Sequence, residues 1–563
     1  MENSWSAKRI GDWVAQGALS KEAVWERVDK ALKGSCSFAF DCEPTASETR
    51  LTEAAFISLL QTKADFPRSQ DGAAAGQILF SSLAYLSTLP FPSSTATVSP
   101  SDGLSPAQLA RALAWIIPDN YGYLVEEGNI SRQRSKADHR RLIFQSLASR
   151  LDPTLKPHYD AESARRLALY NAFEVEYESR REYCALNHDD DGDEIYHDLL
   201  DVLYGTQITY DPRYSPVHRD DFRSVAKQLA AEHDLDELYA LGIPVDRFVA
   251  LTKVLVALQF TQPADYRDDN GNLDLSQFNT AARSVCAAFY RPHQNLNQDG
   301  KDATPSVITW PMFDHALKNI APYLLDPLYH IISTIFLDKR GPGISYFFDA
   351  PSPLPSGTPL TMPLLSQLAT FLGGSIDFAS FRRTLHYSAT DTYNLPKTSS
   401  ELIGAIEAIP EEAMLVFSAQ SPKEEENDGR AYVFGVFSYK PKQDGASIQT
   451  NVIPSFVGQE RCVIFQLAPV QDVFRGVVGK PGWTVTDRDT VLFGQLGGDG
   501  GVVLELKDGL RAVDITHQIE VAKSGNSVGD SGDGYVYEPN VWRGNWATSL
   551  QISNIEVWTD QKV

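Results

Sequence analysis

Glu460-Arg461-Cys462-Val463-Ile464-Phe465-Gln466-Leu467 is a short run of β-branched, aromatic and aliphatic side chains and reads as a β-strand. Similar runs surround it: Met414–Ser418, Ala431–Ser438, Thr490–Gly494 and Gly501–Leu506. Gly, Pro, Asp and Asn punctuate them, as turns between strands require. Long helical patterns are scarce beyond about residue 400, which predicts an antiparallel sheet or sandwich rather than a doubly wound fold.

Upstream the texture is helical. Asp160–Leu186 carries Leu167, Leu169, Tyr170, Phe173, Val175 and Tyr177 among charges at near-helical spacing, and Leu229–Leu241 and Val245–Phe260 continue in that style. Two Pro-rich seams interrupt the chain, Leu89–Pro106 and Gly341–Pro363. The expected class is α+β, with a helical half before a β-rich half. The chain has 563 residues and a formal net charge of −23, and both halves are acidic. A binder of phosphate backbones needs a concentrated basic face, so nucleic acid is not the expected partner. No apolar run approaches the roughly 20 residues that cross a bilayer. The first residues lack a basic and an apolar secretory region, and the five cysteines form no CxxC. A reducing, cytoplasmic setting is expected.

A spacing recurs in the helical half. Leu51-Thr52-Glu53 precedes Phe56, Leu273-Asp274-Leu275 precedes Phe278, and Ile308-Thr309-Trp310 precedes Phe313. Each is a β-forming triplet followed by a Phe five residues after its first member, the spacing of an EF-hand bridge residue and the first core residue of its exiting helix. In the frame of Leu273 the terminal ligand positions fall on Tyr266 and Gln277, which cannot supply the end carboxylates that Ca²⁺ needs. The best metal candidate is Asn187-His188-Asp189-Asp190-Asp191-Gly192-Asp193. Here Gly192 sets Asn187, Asp189 and Asp191 at loop positions 1, 3 and 5 and Asp198 at position 12, for Ca²⁺ or Mg²⁺. Against this, Ile195 sits one place late for the bridge, and an acidic solvated loop has the same composition.

Motifs for catalysis fail on context. Gly529-Asp530-Ser531-Gly532 resembles the tetrapeptide around a serine-protease nucleophile, but no His and Asp setting accompanies it. The glycines from Gly494 to Gly501 lead into Val502–Leu506, another strand, and so form a turn rather than a phosphate loop. The 11 histidines make no zinc motif, and His386 and His517 read as packing or surface residues. No catalytic or cofactor-binding residue is assigned.

Five stretches in order resemble the TLDc domain, the module of oxidation-resistance proteins. Leu360–Leu368 resembles its first helix, Tyr432–Phe437 its aromatic-glycine strand and Glu460–Leu467 its E-C-F-L-F-x-L strand. Leu492-Phe493-Gly494 resembles its Phe-Gly-Gly hairpin, and Ile552–Trp558 its closing I-x-x-L-E-V-W strand. An EF-hand-like helical half before such a domain is similar to the fungal restriction-of-telomere-capping subgroup, although Leu385-His386-Tyr387-Ser388 departs from that subgroup's Leu-Tyr-Ser-Gly. The resemblance implies a β-sandwich flanked by helices over 359–563; the recurring spacing and the Pro-rich seams place EF-hand-like regions at 1–90 and 107–340 and linkers at 91–106 and 341–358 ahead of it. It also implies a non-enzymatic adaptor that binds the vacuolar proton-pumping ATPase and influences its assembly or the response to oxidative stress. Such a protein would be cytoplasmic, peripheral at the vacuole through its protein partner, without a membrane insertion or a required cofactor. Phe434, Phe437, Phe465, Phe493 and Trp558 are expected to fill the sandwich, and Glu556 to be a buried hydrogen-bonded carboxylate holding a loop. The rival expectations are a redox or hydrolytic enzyme, with Cys462 as its thiol, and a divalent-cation switch at Asn187–Asp198.

Overall fold

The computed structural model describes residues 2–35, 50–92, 102–117, 124, 136–151, 196–207, 217–232, 238–290, 307–337, 354, 357–373, 376–388, 401–402, 404, 413–421, 431–438, 462–477, 483–485, 490–496, 500–507, 509–519, 536–540 and 542–560. The chain divides into two compact units. One comprises Met1–Val254, Ser306–Asp314 and Leu325–Ser345; the other comprises Leu255–Pro305, His315–Leu324 and Tyr346–Val563.

The first unit is built from α1 (Glu2–Ala15), α2 (Lys21–Ser35), α3 (Glu53–Lys63), α4 (Gln70–Leu86), α5 (Pro106–Ile116), α6 (Lys136–Leu147), β1 (Ser149–Arg150), α7 (Tyr196–Gly205) and α8 (Arg223–Glu232). To these it adds β2 (Leu241–Pro244), the start of α9 (Val245–Ala257), β3 (Val307–Ile308), the start of α11 (Trp310–Asn319) and α12 (Asp326–Phe336). Helix α10 (Asn279–Tyr290) belongs to the second unit.

Two miniature bridges organise the first unit. Leu51 and Leu104 exchange both backbone hydrogen bonds, at 2.8 and 2.9 Å. Each is followed by a capped helix: the Thr52 hydroxyl accepts from Ala55 N at α3, and Ser105 forms a capping box with Gln108 at α5. Gly103 makes this approach possible, since it sits at φ +65° and a Cβ there would lie 2.7 Å from the Leu51 carbonyl oxygen. Phe56, fully buried, lies 6.0 Å from Phe80 and stacks 6.3 Å from Phe336. Burying one such ring is worth about 2–3 kcal/mol.

The second bridge pairs Ile243 of β2 with Ile308 of β3, and β1 extends it to three strands. Phe248 and Phe313, each five residues after its bridge residue, meet at 5.9 Å, and Phe144 packs on Phe313 and Trp310. The expected spacing at Leu51 and Ile308 thus marks true bridge residues. Their partners Leu104 and Ile243 carry the same spacing, to Leu109 and Phe248. It is masked there by Pro106, by Pro244 and by Leu in place of Phe. Asp160–Leu186 lies outside the described residues.

Among the described residues of the second unit, a ten-stranded antiparallel sheet turns about one long strand, β13 (Trp546–Asp560). One wing runs from β13 through β5 (Ala413–Gln420), β6 (Tyr432–Ser438) and β7 (Val463–Ala468) to β8 (Asp472–Arg475), with β4 (Phe381–Ser388) also paired to β13. The other runs through β12 (Ala512–Ile519), β11 (Gly500–Lys507) and β10 (Val491–Phe493) to β9 (Trp483–Val485). Register shifts at Ile552/Asn554 and Val557/Trp558 bend β13, as bulges do. Phe417, Phe434, Ile464 and Phe474 from one wing share a core with Val491, Phe493, Val502, Leu504 and Ile515 from the other. The expected sandwich is therefore one continuous sheet whose two wings enclose a common interior.

Helices cover this sheet. Helix α13 (Met362–Leu372) is buried almost all round, with Phe371 5.7 Å from Phe465. The Leu467 carbonyl accepts from Gln367 Nε2 at 3.0 Å and from the Ser284 hydroxyl of α10 at 2.5 Å. Gln471 Nε2 donates to the Ile320 carbonyl and to Thr370 Oγ1, and Tyr323 N donates to the Thr370 carbonyl. Residues 255–290 and 315–324 are thus integral to this unit. In the loop before α10, Leu273 bridges Arg267 locally, while Asp268 accepts the amides of Asn270 and Asn272 at 2.9 and 2.8 Å. Those hydrogen bonds, the Asn272 side chain's first, hold the Asp268 carboxyl below its ordinary range.

Candidate functional site

Strand β8 opens with Asp472, an acid placed among Val470, Val473 and Phe474 and only 1% exposed. Burial pushes its pKa up; Arg543, Asn540 and its neighbour's amide pull the other way. Arg543 Nη1 lies 3.2 Å from Oδ2, while Asn540 Nδ2 (3.1 Å) and Val473 N (3.0 Å) donate to Oδ1. Asn540 makes further bonds of its own. Its N–H donates to His517 Nε2 at 2.9 Å, and its Oδ1 accepts from Trp542 N and from His315 Nε2.

These bonds fix both imidazoles. His517, fully buried on β12, accepts at Nε2, so its proton is on Nδ1 and donates to the Gly544 carbonyl at 2.8 Å. Burial lowers its pKa to about 4, against the opposing pull of Gly544, and Arg543 lowers it further. His315 donates from Nε2 and accepts from Asn319 Nδ2 at Nδ1, with its ring 4.8 Å from Trp542. Every ring nitrogen of the pair is committed. The network clamps residues 536–540 and 542–546 between β8, β12 and the end of α11.

A second cluster surrounds Glu556 on β13, which is fully buried. Its Oε1 accepts from Arg383 Nη1 at 2.9 Å; its Oε2 accepts from Thr358 Oγ1 at 2.7 Å and Trp558 Nε1 at 3.0 Å. The carboxylate ties residue 358 and strand β4 to the centre of the sheet, as expected of a buried acid holding a loop. Cys462 sits half-buried beside β7, its Sγ 3.7 Å from Ser438 Oγ. The phenol of Tyr537 is held well above its ordinary pKa by burial first and then by the adjacent Cys462.

Of the metal candidates, Asn187, Asp189 and Asp191 lie outside the described residues. Asp198 is described, on α7, where it is 1% exposed and both oxygens are taken by Arg141 at 2.8 and 2.9 Å. A cation bound through Asp198 would compete with that guanidinium. Asp201, one turn on, pairs with buried Arg219. Among the described residues, no three His, Cys, Asp or Glu side chains converge as metal ligands, and no helix is long and apolar enough to cross a membrane.

Residues 360–561 match the family model of the TLDc domain. That part of the chain is a TLDc domain. No curated protein matches the sequence. The TLDc match begins at the helix α13, whereas the compact unit that holds it also takes in 255–305 and 315–324. Two of the polar anchors, Ser284 and His315, therefore lie outside the matched span. The Asp472–Asn540–His517–His315 network escaped the sequence. Its one local signal is an acid directly before the apolar pair Val473-Phe474, and its members are scattered over more than two hundred residues.

Proposed function

We propose that this protein is a non-enzymatic TLDc adaptor that binds the vacuolar proton-pumping ATPase and influences its assembly or the cell's resistance to oxidative stress. It works in the cytoplasm, peripheral at the vacuole through that partner, and needs no cofactor. The TLDc domain carries the reading, because the pump is the partner that the family resemblance implies. The site's chemistry supports it. Asp472, His517, His315 and Glu556 spend their hydrogen-bonding capacity on the protein's own loops, which suits a rigid recognition surface better than proton transfer to a substrate. The two EF-hand-like bridges ahead of the domain agree with the fungal restriction-of-telomere-capping subgroup.

The test is affinity purification of the full-length chain from cells under native conditions, with quantitative mass spectrometry. Pump subunits recovered in near-stoichiometric amount, and a changed ratio of assembled to free pump sectors on deletion, are expected. Unchanged assembly and no pump subunits would remove the proposal.

A further inference from the structure

We propose that Thr358 is a phosphorylation site for a proline-directed protein kinase, and that its phosphate detaches residues 357–361 from strand β13. The inference is independent of the pump reading. Thr358-Pro359 is the dipeptide such kinases recognise, and it follows Gly357, an exposed turn residue at φ +73°. Thr358 and Pro359 are half-buried, whereas Leu360 is fully buried and starts the approach to α13. The placement of the hydroxyl sets this threonine apart. It donates to Glu556 Oε2 at 2.7 Å and accepts from Leu360 N at 3.1 Å. Ser105-Pro106, a similar dipeptide, instead uses its hydroxyl to cap α5.

In the transfer, Thr358 Oγ1 attacks the γ-phosphorus of ATP. The new P–O bond forms as the bond to the β-phosphate oxygen breaks; ADP leaves, and the hydroxyl proton passes to the kinase's base. The product has lost the O–H that bonded Glu556. In its place stands a group of charge about −2 against a buried carboxylate. Arg383 cannot neutralise both, since it already serves Glu556 Oε1 at 2.9 Å and turning to the phosphate would leave that acid buried without its cation. Either way the contact between Thr358 and Glu556 is broken. The released segment leads directly into α13, the helix that covers β7, so the modification acts at the start of the TLDc domain.

The full-length protein is incubated with a purified proline-directed kinase and ATP, mapped for phosphate by mass spectrometry, and followed by hydrogen exchange over residues 357–368 and β13. Phosphate on Thr358 and exchange at least tenfold faster at 357–361 are expected. Thr358→Val keeps the side chain's shape and must abolish both the phosphate at 358 and the ATP-dependent change. Two results overturn the proposal. One is an unmodified Thr358 while other Ser-Pro or Thr-Pro sequences of the same chain are phosphorylated. The other is a phosphorylated Thr358 with unchanged protection.

Discussion

His517 makes the stability of the second unit depend on mild acid. Its imidazole is fully buried, stacks 5.7 Å from Trp546, and accepts the Asn540 amide at Nε2, the atom that a second proton would occupy. The folded pKa is about 4, while the unfolded chain titrates at the ordinary value near 6.5. A depressed pKa means that the unfolded state binds the proton first. The stabilisation is therefore whole above about pH 6.5 and is lost as pH falls toward about 4. Between pH 7 and pH 5 the loss amounts to about 2 kcal/mol. His517→Gln offers an amide oxygen to Asn540 but cannot titrate; it should cost about 1 kcal/mol at pH 7 through the lost Gly544 bond. The assay is hydrogen exchange of β12 and β13 in the full-length chain at both pH values, corrected for intrinsic rates and converted to opening free energies. The native protein should lose about 2 kcal/mol more than the variant over this interval. Asp472, with its raised pKa, acts in the opposite sense in both proteins and largely cancels in the difference. Parallel losses in the two proteins would refute the assigned tautomer and its energetic role.

Gly435→Ala should destabilise the second unit by about 3 kcal/mol, because the added Cβ would lie 2.2 Å from the Phe465 ring and 2.4 Å from the Leu415 carbonyl oxygen; denaturant unfolding measures it. Arg141→Met should cost the first unit about 3–5 kcal/mol by removing the cation that buried Asp198 and Asp138 share, and adding Asp198→Leu should recover part of that loss. The fragment 360–561 should unfold at lower denaturant than the same domain in the full-length chain, since it lacks the Ser284, Tyr323 and His315 bonds. Equal midpoints would show that residues 255–290 and 315–324 contribute nothing.

The strands of the TLDc domain were legible because each spends its apolar residues in a short run between turn formers, and Gly435 stands where the Phe465 ring crosses the strand. Glu556 was legible for a similar reason, as an acid alone among apolar neighbours. The bridges at Leu51 and Ile308 were also readable from spacing. Their partners were not, because a proline in each triplet disguises the β-forming pattern. Asp472, Asn540, His517 and His315 converge only through tertiary pairing, and no local periodicity encodes a hydrogen bond between positions 315 and 540. The same limit hides the ownership of α10, whose amphipathic face gives no hint that Ser284 caps the Leu467 carbonyl.

Whether the second unit is a recognition surface is tested most directly by titrating the purified full-length chain onto purified vacuolar proton pump and following complex formation by mass photometry. Saturable binding with one defined stoichiometry, weakened by Gly435→Ala, is the expected result. A folded chain that leaves the pump's mass distribution unchanged at every concentration would contradict it.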